Sequence, residues 1–300
     1  PRVLKQLAIL WLLASSTALI ASELILALGA PAAVYMGNRA SPEAIASFER
    51  QHGLDTPMLT RIPQRGLMIA TLRFGSSIHF GANTADVLWD RVPSAGLLAT
   101  GAIALEIVLG LFFGLLGGLY ANRQIDRMLL ALTAVLTATP TAALALACLA
   151  LLLGTGAYEV PTLLGPVLVL GLHASASSFR ITRLKVIQTL HSRAVEGAMG
   201  RGFSPIEALL RYGLGHIAWP SLTYAALGLP GLLSGAVLVE SAFGLNGIGR
   251  LTLTAIQYAD GPLVAAIVFW VSLLSFFLSM AAANTDTYSP ALVTAKKRLR

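Results

Sequence analysis

Glu196-Gly197-Ala198-Met199-Gly200-Arg201-Gly202, followed after seventeen residues by Pro220, is a charged, glycine-broken stretch set between two long apolar runs. Lipid alone does not require such a segment, and its flanks decide the fold class. On one side stands the run Pro161–Phe179, on the other Ile217–Val239. Four more apolar runs lie further out: Leu7–Ala30, Ser94–Tyr120, Met128–Leu153 and Pro262–Ala283. Each is near or above the roughly 20 residues needed to cross about 30 Å of hydrocarbon at about 1.5 Å per residue. Backbone polar groups in lipid must be satisfied within the segment, so these runs are helices. The 300-residue chain is 56% hydrophobic and 12% charged, against about 25% charged in soluble domains. The expected fold is an all-α membrane protein with six transmembrane helices.

The formal net charge of +7 does not point to nucleic acid, because the cations lie in loops between the spans. One set of connections holds Arg2 and Lys5, Arg123 and Arg127, the cluster Arg180, Arg183, Lys185, Arg193, Arg201 and Arg211, and the tail Lys296, Lys297, Arg298 and Arg300. The short connections on the other side, 154–160 and 240–261, hold only Arg250. The positive-inside rule puts both termini and the 180–216 loop in the cytoplasm. The first run is too long for a signal-peptide core and lacks a cleavage site, so it reads as a retained helix.

The expected organisation is a first transmembrane helix over 1–30 and an external subdomain of short helices over 31–93. A core follows over 94–284, with a cytoplasmic loop at 185–215, and then a basic tail over 285–300. Glu240 to Gly261, too polar to span, reads as a short amphipathic element at the outer surface. Cys148 is a small apolar filler.

No catalytic constellation is present. His52, His79, His173, His191 and His216 form no zinc-spaced pair. There is no GxSxG elbow and no GxxxxGK[ST] loop to cradle a nucleotide. No enzyme activity, metal site or cofactor is expected in this chain, so any energised work draws on a partner or an ion gradient. The central segment itself reads as helix, break, helix. Arg180 and Arg183 close span four, and its helix continues to about Met199. Gly197, Gly200 and Gly202 each penalise further helix by about 1 kcal/mol against alanine. Ser204-Pro205-Ile206-Glu207 restarts it, with Ser204 as N-cap, Pro205 in the first turn and Glu207 closing a capping box. Ile206, Leu209, Leu210 and Gly213 would form one narrow face.

These residues carry a resemblance. Glu196-Gly197-Ala198, three residues and Gly202 are similar to the Glu-Ala-Ala-x-x-x-Gly loop of bacterial ABC importer permeases, and Pro220 stands as in the dipeptide, oligopeptide and nickel subfamily. Gly53-Leu54-Asp55-Thr56-Pro57, Phe74-Gly75-Ser76-Ser77 and Arg91-Val92-Pro93 resemble that subfamily's external signatures. So do Gly110, Gly114 and Asp126-Arg127, then Pro140, and finally Gly235, Glu240, Phe243, Gly247-Ile248-Gly249-Arg250, Asp260 and Pro262. The chain departs from the pattern at Arg193-Ala194, where Asp-Tyr is usual, at Asn246 in place of a proline, and in its short 154–160 connection.

The resemblance implies the transmembrane domain of a type I ABC importer in the bacterial inner membrane, multi-pass. Its partners would be a second homologous permease (a heterodimer), two ATPases that bind ATP and Mg, an extracytoplasmic substrate-binding protein, and lipid. The cargo would be a peptide, nickel or a metal chelate. Glu196, Gly197, Ala198, Gly202, Phe203, Ser204 and Pro205 would couple to the ATPase. Asp55, Arg61, Arg73 and Asn246 would face the binding protein.

Glu23, Glu106 and Glu240, with His173 and Ser177 in the polar patch of span four, are candidates for the translocation path, because carboxylates within a membrane are costly. For Glu23 and Glu106 an interhelical hydrogen bond is an equal reading, and for the patch of His173, Ser175, Ser177 and Ser178 polar helix–helix contacts are an equal reading. An ion-coupled secondary transporter using these two residues is the rival function. The glycines spaced by four on span two (Gly110, Gly114, Gly118) and on span five (Gly231, Gly235) are expected to allow close helix packing.

Overall fold

A computed structural model describes residues 2–37, 40–155 and 163–286. All the regular structure among them is helical. The chain forms two compact units, residues 1–95 with 246–277, and residues 96–245 with 278–300. Among the described residues, five helical stretches are long and apolar enough to cross a membrane, and a sixth crossing results if one bent pair counts as a span.

The first unit contains α1 (Arg2–Gly29), α2 (Pro31–Met36), α3 (Pro42–Gln51), α4 (Met58–Ala70), α5 (Thr84–Trp89) and α13 (Ile248–Gln257), with the greater part of α14 (Gly261–Asp286). The short helices expected over 31–93 are present. Ser41 and Asn83 cap α3 and α5 with their side chains. Ala14 and Ala18 of α1 are fully buried with Ile69, Ala265 and Phe269. Trp11 donates from Nε1 to the Ala70 carbonyl at 3.0 Å and packs edge-on against Phe269. Asp260, fully buried, ties three pieces together. It accepts from the Ser77 hydroxyl, from the His79 amide at 3.0 Å and, as a cap on α14, from the Leu263 amide at 3.1 Å. The amphipathic element expected after Glu240 is α13.

The second unit holds most of α6 (Val92–Leu119), then α7 (Gln124–Ala138), α8 (Thr141–Gly154), α9 (Leu164–Leu190), α10 (Arg193–Met199), α11 (Pro205–Ala208) and α12 (Leu214–Ala242). The third expected span is not one straight helix. α7 and α8 meet at 100°. Pro140 has no amide hydrogen and disfavours helix in the residue before it, and Thr139 is extended at φ −82°, ψ 124°. The 15 and 14 residues of the halves measure only about 22 and 21 Å, so neither crosses alone.

The span-two glycines do allow close packing. A Cβ on Gly110 would lie 2.6 Å from the Ser178 Cβ, one on Gly118 2.5 Å from Val186, and one on Gly114 would strike Thr182. The span-five pair differs. A Cβ at Gly231 meets nothing within 4 Å, and one at Gly235 reaches Leu170 at 3.3 Å. The expected connection 154–160 beyond Thr155, and the basic tail beyond Asp286, lie outside the described residues.

Candidate functional site

Among the described residues, most of the expected site residues fall into three places: the segment 185–215, a cavity in the second unit, and a charged pocket in the first.

α9 stops at Leu190 rather than running to Met199, and Arg180 and Arg183 therefore lie inside it. Ser192 then caps a separate helix, α10. Its end is closed by Gly202, whose φ of +95° is one that side chains with a Cβ rarely adopt. The Phe203 amide bonds back to the Ala198 carbonyl at 3.3 Å and the Gly202 amide to Met199 at 2.9 Å, a Schellman closure. The capping box is formed: the Glu207 Oε2 accepts from the Ser204 amide at 2.9 Å, and the Ser204 hydroxyl accepts from the Glu207 amide at 3.4 Å. Val195 and Ala198 of α10 and Ala208 of α11 are fully buried, against Val186 and Ile217. Glu196, Gly197, Gly202, Ser204 and Pro205 stay exposed, and Phe203 is half-buried. A short helix is thus seated on an apolar base with its polar face outward.

The expected narrow face is not formed. Leu209–Gly213 is a π turn, which adds a residue to the turn and shifts the register. Leu209 and Gly213 are buried, while Ile206 and Leu210 are 45% and 50% exposed. Arg183 reaches back to Asp126 in a bidentate pair, Nε–Oδ1 2.5 Å and Nη2–Oδ2 2.6 Å. Asp126 also accepts from the Asn122 amide at 2.7 Å, so the start of α7 is held to α9, ahead of α10. Sequence reading assigned Arg183 to a helix end and missed this pair.

The cavity in the second unit has a volume of about 380 Å³ and is lined by Glu106, Thr141, His173, Ser177, Tyr224 and Gly231, among others. Three of the expected path residues, Glu106, His173 and Ser177, come together here. Glu106 is 3% exposed and its Oε1 accepts from the Ser178 hydroxyl at 2.5 Å. No Lys, Arg or His among the described residues pairs with it. The His173 Nδ1 is buried with no hydrogen-bond partner among the described residues. Glu240 is buried near the end of α12 and does not line this cavity. Tyr224, Thr141 and Ser234, which sequence reading missed, complete the polar wall. Their only signal was a shared face with Gly228, Gly231 and Gly235 of α12, and with Pro140.

Glu23 belongs to the first unit and is not an uncompensated carboxylate. Arg61 donates from Nη2 and Nε to its Oε2 at 2.9 and 3.1 Å, and the Arg65 Nη1 lies 3.5 Å from Oε1. Arg61 was expected to face outward; its side chain is only 14% exposed, because the ion pair turns it inward. Asp55, Arg73 and Asn246 are exposed.

Residues 106–287 match the family described as the binding-protein-dependent transport system inner membrane component. The chain is 26% identical over 256 residues to the oligopeptide transport system permease protein of Escherichia coli, covering 82% of this chain and 84% of that one. It is 23% identical over 271 residues to a probable peptide ABC transporter permease protein of Sinorhizobium fredii, covering 85% and 86%. It is 24% identical over 287 residues to the dipeptide transport system permease protein of Alkalihalophilus pseudofirmus, covering 84% and 86%.

Proposed function

Because the chain belongs to the family of inner-membrane components of binding-protein-dependent transport systems, we propose that it forms half of a peptide translocation path and is driven through the segment 192–208. It is a multi-pass permease of an ABC importer in the bacterial inner membrane, and it works with ATPase and substrate-binding partners. The second half of the path is a homologous permease, giving a heterodimer. Two ATPases dock on the cytoplasmic segments, and their closure on ATP and Mg pushes α10 and its counterpart together. Peptide, rather than nickel or a metal chelate, is the cargo class that the relatives' names favour.

The seating of α10 is the observation that carries the coupling role. A helix whose inner face (Val195, Ala198) is fully buried and whose ends are closed by Ser192 and Gly202 transmits a push without unfolding. Its outer face keeps Glu196, which lies 3.6 Å from the His191 Nδ1, and Gly197 exposed to a partner groove. The ion-coupled alternative loses one of its two carboxylates, since Glu23 is engaged by Arg61 and Arg65.

Reconstituted complex in proteoliposomes tests the coupling role. Glu196→Lys and Gly202→Asp should abolish ATP-driven uptake and weaken ATPase retention, while the chain still inserts. Gly202→Ala, which adds backbone strain of about 1–2 kcal/mol without charge, should be milder. Unchanged uptake in Glu196→Lys and Gly202→Asp would remove the segment from the coupling role.

A further inference from the structure

In the first unit two guanidiniums converge on one carboxylate. Arg61 is engaged through all three of its nitrogens: Nε and Nη2 bind the Glu23 Oε2, and Nη1 donates to the Leu54 carbonyl at 3.2 Å. Arg65 is not. It touches Glu23 only through the 3.5 Å ion pair with Oε1, an atom with no hydrogen-bond partner among the described residues. The side chains of Arg61, Arg65 and Glu23 are 14%, 17% and 5% exposed. A guanidinium carries five donors in a planar fork, and a mostly buried one needs acceptors to offset its lost hydration. Burial holds the Arg65 guanidinium below its ordinary value; Glu23 pulls it back up, and Arg61 lowers it further.

Arg65 opens on a pocket of about 410 Å³, within the roughly 300–1,000 Å³ of small-molecule sites. Its wall includes Arg73, Gln64, His52, Ser22 and Ser76 and, among the described residues, no carboxylate; Glu23 pairs with Arg61 and Arg65 from outside that wall. We propose that this pocket is a binding site for a small organic carboxylate, whose oxygens pair with the Arg65 fork while Arg73 and Gln64 hold the rest of the molecule. A carboxylate fits the fork in two parallel charge-assisted bonds. The remaining pocket volume accommodates a body of dipeptide size, which one acidic side chain reaching in from another protein would not fill. Glu23 competes for the same cations and so limits the affinity of the site. The choice of a peptide as the carboxylate rests on the importer reading above; the pocket itself does not.

The test is calorimetric titration of the intact permease complex in nanodiscs, without ATP or binding protein. The probes are alanyl-alanine and its C-terminal amide. The acid should bind saturably. The amide, and the acid on Arg65→Gln, should each bind about tenfold more weakly, the loss of one charge-assisted contact. Glu23→Gln should tighten the acid by about threefold or more, by releasing Arg65. Equal binding of acid and amide, or no saturable binding, overturns the proposal. So does a result in which Arg65→Gln leaves acid binding unchanged and, in a separate titration with the binding protein, weakens only that association. If either variant fails to assemble, Arg73→Gln, an exposed residue of the same wall, decides: it should weaken the acid and leave the amide unchanged, and equal acid binding overturns the proposal. Because no step uses ATP, a failure here leaves the importer reading standing. Absent ATP-driven uptake with the acid–amide contrast intact sinks the importer reading alone.

Discussion

Glu23 and Glu106 look alike in the sequence, single carboxylates within long apolar helices, yet the structure gives them opposite surroundings. Both are nearly inaccessible, at 4% and 3% exposure. Glu23 lies between Arg61 and Arg65, which α4 brings down onto α1. Glu106 has the hydroxyl of Ser178 as its partner and faces a cavity with His173 and Ser177. The first carboxylate neutralises part-buried cations and ties α1 to α4; the second lines open space. A membrane-embedded carboxylate therefore takes its role from what distant segments bring to it, not from the span that carries it.

The largest expected effect comes from removing the compensated charge. Glu23→Ala strands Arg61 and Arg65 in a buried site and should lower stability by about 3–5 kcal/mol, read as thermal unfolding of the purified complex in detergent. The double variant Glu23→Ala/Arg61→Ala should lose less than the sum of the two single changes, because the pair is coupled. Additivity would break the claim that Glu23 is held structurally.

Next come the two sets of glycines. Gly114→Val forces α6 and α9 apart and should destabilise by about 1–3 kcal/mol. Gly231→Leu has open space before it and should change stability by less than about 0.5 kcal/mol. It should still reduce uptake by filling the cavity around Glu106. Normal uptake in Gly231→Leu would deny that cavity a part in transport.

Glu106→Gln keeps a hydrogen bond to Ser178 and should shift stability by under about 1 kcal/mol, while lowering the rate of ATP-driven uptake. A loss comparable to that of Glu23→Ala would erase the contrast. The smallest signal is topological. Cysteine placed at Asp55 should label only from outside and at Glu196 only from inside, which requires α7 and α8 to count as one crossing. The reverse pattern would overturn the orientation.

Much of the fold was legible because lipid imposes a simple rule. Run length was enough to read the spans, and the loop distribution of Arg and Lys gives the orientation that the labelling experiment tests. The capping box at Ser204–Glu207 and the glycine closure at Gly202 were legible for a similar reason, since both are local contacts within a few residues. The bend at Pro140 was half visible: proline announces a break, but its 100° angle depends on where α7 and α8 find their neighbours. The π turn at Leu209–Gly213 was invisible, because Leu-Leu-Arg-Tyr-Gly is compatible with an ordinary helix. It exists where Gly213 packs against Thr189, so closely that a Cβ on Gly213 would lie 2.7 Å from the Thr189 Cγ2.

The sequence by itself determined an all-helical membrane chain, its family, and a glycine-closed segment between spans four and five. Hydrophobic run length, charge placement and short-range capping act over a few residues and need no tertiary partner. Only the tertiary structure decided which polar groups meet. Arg61 with Glu23, Arg183 with Asp126 and Ser178 with Glu106 lie 38, 57 and 72 residues apart. Such pairings follow from helix packing, in which the small residues of α6 admit α9 and leave the glycine face of α12 open on a cavity.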